Sequence, residues 1–110
     1  MEVSARFQLG RAQLAAGQPA EARKTWQDFL TSAVAKKAGG DLLPEAAYRL
    51  ASTFGVPVPQ TEGDLELGVA TMEKFLKTYP KHKRAPKAEY EIAQSYIHHG
   101  RFEQAIRRLK

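Results

Sequence analysis

Apolar residues recur at helical spacing in six stretches of this chain, separated by turn-forming glycines and prolines. Phe7, Leu9, Ala12, Leu14 and Ala16 give a first helix over about residues 2–16 a mixed apolar face. Gly17 predicts its end, and Pro19 opens a second helix where a missing N–H costs nothing. The stripe of Ala22, Trp26, Phe29, Leu30 and Val34 carries that helix to about residue 36, and Lys37-Ala-Gly-Gly40 breaks it. A third helix begins near Pro44, buries Ala47, Tyr48, Leu50, Ala51 and Phe54, and stops at Gly55. Residues 56–63, with Pro57 and Pro59, are not helical. Asp64 is the expected N-cap of a fourth helix that reaches Thr78, with Thr61 three residues before it and Leu65, Val69, Met72, Phe75 and Leu76 inward. A fifth runs from Pro86 to Gly100 through Ala88, Tyr90, Ile92, Ala93, Tyr96 and Ile97. The sixth starts near Phe102 and turns Ala105, Ile106 and Leu109 inward. No stretch reads as a strand.

The stretches repeat. Gly10, Ala51 and Ala93 are equivalent small residues, 41 and 42 positions apart, and Ala22, Gly68 and Ala105 mark the helices that follow. Four residues after each of these comes a large apolar side chain: Trp26, Met72 and Leu109. From small residue to turn glycine the chain takes seven steps in the first and third units and twelve in the second, so the middle unit holds a five-residue insertion. Helix pairs repeating at this period predict an all-α fold, an α-solenoid of antiparallel helix pairs.

These residues resemble the tetratricopeptide repeat (TPR). The family's leucine-then-small pair stands here as Leu9-Gly10, Leu50-Ala51 and Ile92-Ala93, with its aromatic one turn later as Phe54 and Tyr96. Gln13 replaces that aromatic in the first unit, and the closing proline occurs once, as Pro80. The resemblance implies three TPR-like repeats, about 2–36, 44–79 and 86–110, the last incomplete, in a single domain over residues 1–110. The chain ends within an amphipathic helix, which reads as a piece of a larger protein whose uncapped last helix offers a route to a homo-oligomer. Phe75-Leu-Lys-Thr-Tyr-Pro80, Ala85-Pro-Lys-Ala-Glu-Tyr90 and Ala93-Gln-Ser-Tyr96 resemble the bacterial envelope branch of the family. That branch includes an outer-membrane assembly lipoprotein and the Tol–Pal coordinator, and it implies the periplasm or cell envelope.

The family's usual function is protein–protein interaction or scaffolding, with a peptide or protein held in a groove lined by the first helix of each pair. The matching positions are Phe7, Tyr48 and Tyr90, then Arg11, Ser52 and Gln94, then Leu14 and Ile97 with His98 beside it. A row of rings suits an apolar or aromatic anchor. The same rings at helical spacing equally fit packing between repeats. Carboxylate recognition of the kind that uses groove asparagines is disfavoured, because the chain has no asparagine.

Charge adds one feature. The net +5 is spread evenly, with seven Lys/Arg against five Asp/Glu in residues 1–55 and ten against seven in 56–110. Only Lys74, Lys77, Lys81, Lys83, Arg84 and Lys87 form a cluster, which suits an anionic ligand or a solvated helix end and loop. No aromatic–basic interleaving typical of RNA platforms accompanies the cluster, so nucleic acid is disfavoured. His98 and His99 point roughly 100° apart on a helix and do not share a metal, and no cofactor motif or catalytic constellation occurs. There is no cysteine, and no apolar run approaches the ~18 residues of a membrane span. The chain reads as a binding module rather than an enzyme, with a spacer that positions a neighbouring module as the alternative.

Overall fold

The computed structural model describes residues 3–32, 36–37 and 40–110. Among them are six helices of eight residues or more: α1 (Val3–Ala15), α2 (Pro19–Thr31), α3 (Leu42–Ser52), α4 (Glu62–Thr78), α5 (Ala85–His98) and α6 (Phe102–Leu109), and no strand. The chain is all-α. The closest packing is within the pairs α1–α2, α3–α4 and α5–α6, and each pair then packs on the next through α2–α3 and α4–α5. The assembly measures 44 × 30 × 17 Å.

The first and third hairpins turn through the same device. Gly17 and Gly100 take positive φ (79° and 74°), which a side chain resists. Their N–H groups donate to Leu14 O and Ile97 O, and the next N–H groups, of Gln18 and Arg101, reach back to Gln13 O and Tyr96 O. This is the Schellman pattern that satisfies the last carbonyls of a helix.

Three boundaries differ from expectation. The second helix ends at Thr31, not near residue 36: the Thr31 hydroxyl bonds Gln27 O and Asp28 O, and Ser32 turns extended at ψ 130°. Lys36 and Lys37 are helical again, while Val34, Ala38 and Gly39 lie outside the described residues. The third helix stops at Ser52, leaving Phe54 in a turn, because Thr53 Oγ1 donates to Leu50 O at the helix end. At α4 the N-cap is Thr61 rather than Asp64, its Oγ1 accepting the Asp64 N–H at 3.0 Å.

The core forms two clusters that lie between hairpins as much as within them. One joins Phe7, Ala22, Trp26 and Phe29 to Ala46 of α3, with Leu50 packed alongside. The other joins Tyr48, Leu65, Val69, Met72 and Phe75 to Ala88 and Ile92 of α5. The first and second hairpins are therefore each sealed by the first helix of the next. Inside the first hairpin Gly10 lets the Trp26 indole lie on the α1 backbone, where Nε1 donates to Phe7 O at 3.3 Å. The middle hairpin uses its glycine differently. A Cβ on Gly68 would stand 2.5 Å from Val56 Cγ2 and 3.3 Å from Phe54 Cβ. The five-residue insertion is folded back onto α4, with Phe54, Val56 and Pro59 buried.

Candidate functional site

The first helices do not present their aromatic row as one surface. Phe7 is buried, its ring centroid 6.2 Å from Trp26 and 6.3 Å from Phe29. Tyr48 is buried edge-on to Phe75 at 5.6 Å, and its hydroxyl donates to Glu91 of α5. Burial first, and then that bond to a carboxylate, push the Tyr48 phenol well above its usual value of 10.0. Tyr90 alone stands exposed.

The polar positions one turn on remain accessible. Arg11 is exposed and donates to Gln8 at 3.1 Å. Ser52 and Gln94 are half-buried and His98 is exposed; among the described residues none of the three makes a side-chain hydrogen bond. Leu14 is half-buried against the Trp26 cluster. Tyr90, Gln94 and His98 recur every fourth residue and so share one side of α5. The Tyr48–Glu91 bond links α3 to α5, and Ser52 holds on α3 the repeat position that Gln94 holds on α5. The His98 ring meets His99 at 5.4 Å, and no group of three or more metal-ligating side chains occurs among the described residues.

The basic segment divides. Lys74, Lys77, Lys81, Lys83 and Lys87 are exposed, and among the described residues none has a carboxylate within salt-bridge reach. Arg84 instead bonds Glu45 Oε1 at 2.7 Å and lies 5.1 Å over the Tyr48 ring, joining the α4–α5 loop to α3. Burial alone would raise the Glu45 carboxyl; the Arg84 bond and the charges of Arg84, Arg49 and His82 outweigh it and hold the group below its usual 4.5. The Glu45 bond likewise raises Arg84. The Arg84 N–H donates to Nδ1 of His82, whose ring meets Phe75 at 5.6 Å. A cleft of about 560 Å³ between Asp41, Glu45, Lys81, His82, Lys83 and Arg84 therefore carries both signs of charge.

Several tethers have no signature in the sequence, because each joins residues 19 or more positions apart. Arg23 of α2 donates to Thr53 Oγ1 and Thr53 O at 3.1 and 2.8 Å, with its guanidinium 3.9 Å over Phe54. His99 contacts Pro59 O at 2.7 Å and Glu62 at 3.2 Å, and Arg101 also pairs with Glu62, so the insertion is tied to the α5–α6 turn. Arg108 of α6 pairs with Glu73 of α4 and reaches Glu89 of α5. One expectation fails on α6: only Ala105 is buried, whereas Ile106 and Leu109 face outward with Phe102.

The helical hairpins place this chain among all-α proteins built from repeated helix pairs. Residues 4–41, covering α1 and α2, match the family model of the tetratricopeptide repeat. No curated protein and no solved structure matches the chain. Repeats of that family generally mediate protein–protein interaction and are typically scaffolds rather than catalysts. Among the described residues no helix is long and apolar enough to cross a membrane.

Proposed function

We propose that this chain is a protein–protein interaction module, an α-solenoid that holds a peptide or protein segment along the side carried by α1, α3 and α5. What supports this reading is that Gln94 and His98 on one side of α5, and Ser52 at the matching position of α3, are accessible polar side chains without partners among the described residues, with Arg11 at that position of α1 and Tyr90 also exposed. Groups with unspent hydrogen-bonding capacity fix a ligand's register, while a neighbouring ring supplies contact area. The envelope-type motif at residues 75–96 supports a scaffold role at the bacterial cell envelope.

The test is selection of peptides from a random library on the immobilised chain, followed by amide-shift mapping with the best binder. The reading expects shifts centred on Ser52, Gln94 and His98, and at least a tenfold affinity loss in Gln94→Ala with an unchanged melting temperature. Shifts confined elsewhere overturn it, and failure of any peptide to enrich leaves the spacer reading in its place. A second reading rests on the five unpaired lysines, Lys74, Lys77, Lys81, Lys83 and Lys87, which suit an anionic ligand. It requires retention on an acidic matrix to collapse between low and moderate salt, and to vanish after charge reversal at Lys81 and Lys83.

A further inference from the structure

The internal joints of this chain show what its bare end is shaped to receive. In the first two hairpins, the side turned to the following hairpin is sealed: Phe7 and Trp26 are 5% and 0% exposed, and Tyr48, Leu65, Val69 and Met72 are 8%, 0%, 5% and 1% exposed. The equivalent residues of the third hairpin are Tyr90, Phe102, Ile106 and Leu109, and they are 55%, 59%, 54% and 56% exposed. Four large apolar side chains left open at positions that the other hairpins seal mark an interaction site.

The element that seals the first two joints is the same each time. It is a first helix presenting a small residue and, four positions later, a branched apolar one: Ala46 and Leu50 on α3, Ala88 and Ile92 on α5. Moving back by the repeat length, α1 carries this pair as Ala5 and Leu9. Ile92 is fully buried, whereas Ala5 is exposed and Leu9 is 38% exposed. The molecule therefore has an unfilled socket at one end and an unused copy of the matching stripe at the other.

We propose that two copies of this chain associate head to tail, with the Ala5–Leu9 stripe of α1 seated on the Tyr90–Phe102–Ile106–Leu109 face of a second copy. The joint repeats, between chains, the contact made twice within one. The polar detail fits as well: Tyr48 donates to Glu91 across the second joint, and the residue of α1 at the Glu91 position is Gln8, whose exposed amide oxygen suits the Tyr90 hydroxyl. Because head and tail are different surfaces, the contact is heterologous, and a pair of copies keeps one head and one tail for further association. This rests on the reading of the chain as an interaction module and shares Tyr90 with it, but the variants at Leu9, Ile106 and Leu109 leave Ser52, Gln94 and His98 untouched, so either reading can fail while the other stands.

Sedimentation velocity over a dilution series tests it, with the wild type, Leu9→Glu and Ile106→Glu. The wild type should grow with concentration through multiples of its 12.2 kDa mass. Each variant alone should associate at least tenfold more weakly, since one loses the head and the other the tail. An equimolar mixture of the two joins the intact tail of Leu9→Glu to the intact head of Ile106→Glu, giving a species of twice the chain mass and nothing larger. That result also shows that both variants are folded, and Leu109→Lys should behave as Ile106→Glu does. A wild type that stays at one chain mass into the millimolar range overturns the proposal. So does a Leu9→Glu chain that associates as the wild type does, because the face is then covered by something other than α1.

Discussion

Replacing Gly10 with alanine probes the contact that closes the first hairpin. A Cβ added there would stand 2.8 Å from Trp26 Cδ1, and closer still to Nε1 and Cε2, inside any real carbon contact. The indole cannot yield easily: Trp26 is fully buried, packed on Phe7, and holds Phe7 O through Nε1. Overpacking of this kind costs about 1–3 kcal/mol, and a displaced indole forfeits a hydrogen bond of about 1 kcal/mol. Alanine returns about 0.8–1 kcal/mol in helix propensity. The net expectation is a loss of about 1–3 kcal/mol, taking these magnitudes together. Urea denaturation followed by fluorescence measures it directly, since Trp26 is the sole tryptophan. Gly63 provides the control: it lies in the first turn of α4, and its added Cβ would meet only Thr61 Oγ1, at 3.9 Å. Gly63→Ala should stabilise by ~0.5 kcal/mol through the same propensity effect. In a double-mutant cycle followed by circular dichroism, Trp26→Leu should relieve much of the Gly10→Ala cost. A Gly10→Ala chain as stable as the wild type, with unshifted emission, would refute the reasoning.

Two further predictions concern the tethers between hairpins. Arg23→Ala removes both charged hydrogen bonds to Thr53 and the guanidinium over Phe54, and should cost about 1.5–3 kcal/mol in chemical denaturation, with Arg23→Lys recovering only part of it. Stability should also fall at both pH extremes. The Glu45 carboxyl is lowered by folding, so its contribution is present above the usual carboxylate range and is lost as pH falls through the lowered value; Glu45→Gln should flatten that acid limb. The Tyr48 phenol is raised, so its contribution is complete below pH 10 and declines as pH rises beyond it; Tyr48→Phe should flatten the alkaline limb.

The helices and their register were legible because the punctuation is local. Gly17 with Pro19, and Gly100 with the apolar period on either side, specify turns by backbone chemistry alone, and the small-residue markers set the repeat. The early end of α2 was not legible. Thr31 and Ser32 are tolerated within a helix, and their bonds to its carbonyls decide the matter only once the chain is folded. Periodicity also assigned Phe7, Tyr48 and Tyr90 to one helix side without saying what lies opposite. That depends on whether a further hairpin covers them, which is why two are core and one is open. Gly68 is legible as the small-residue marker of its helix, but what closes on it is the inserted Val56, which the repeat pattern does not encode. Arg23 and His99 reach residues 30 to 40 positions away, and no local pattern encodes such pairs.

Hydroxyl-radical footprinting with mass spectrometry, at protein concentrations low enough to keep one chain per particle, tests most directly whether each hairpin is sealed by the one after it. Trp26 and Met72 are chemically the most oxidisable groups in the described chain, yet the packing requires them to be protected along with Phe7, Tyr48 and Leu65. Tyr90, Phe102, Ile106 and Leu109 should take up label instead. Labelling of Met72 or Trp26 as fast as Tyr90, under conditions where circular dichroism remains fully helical, would contradict the account.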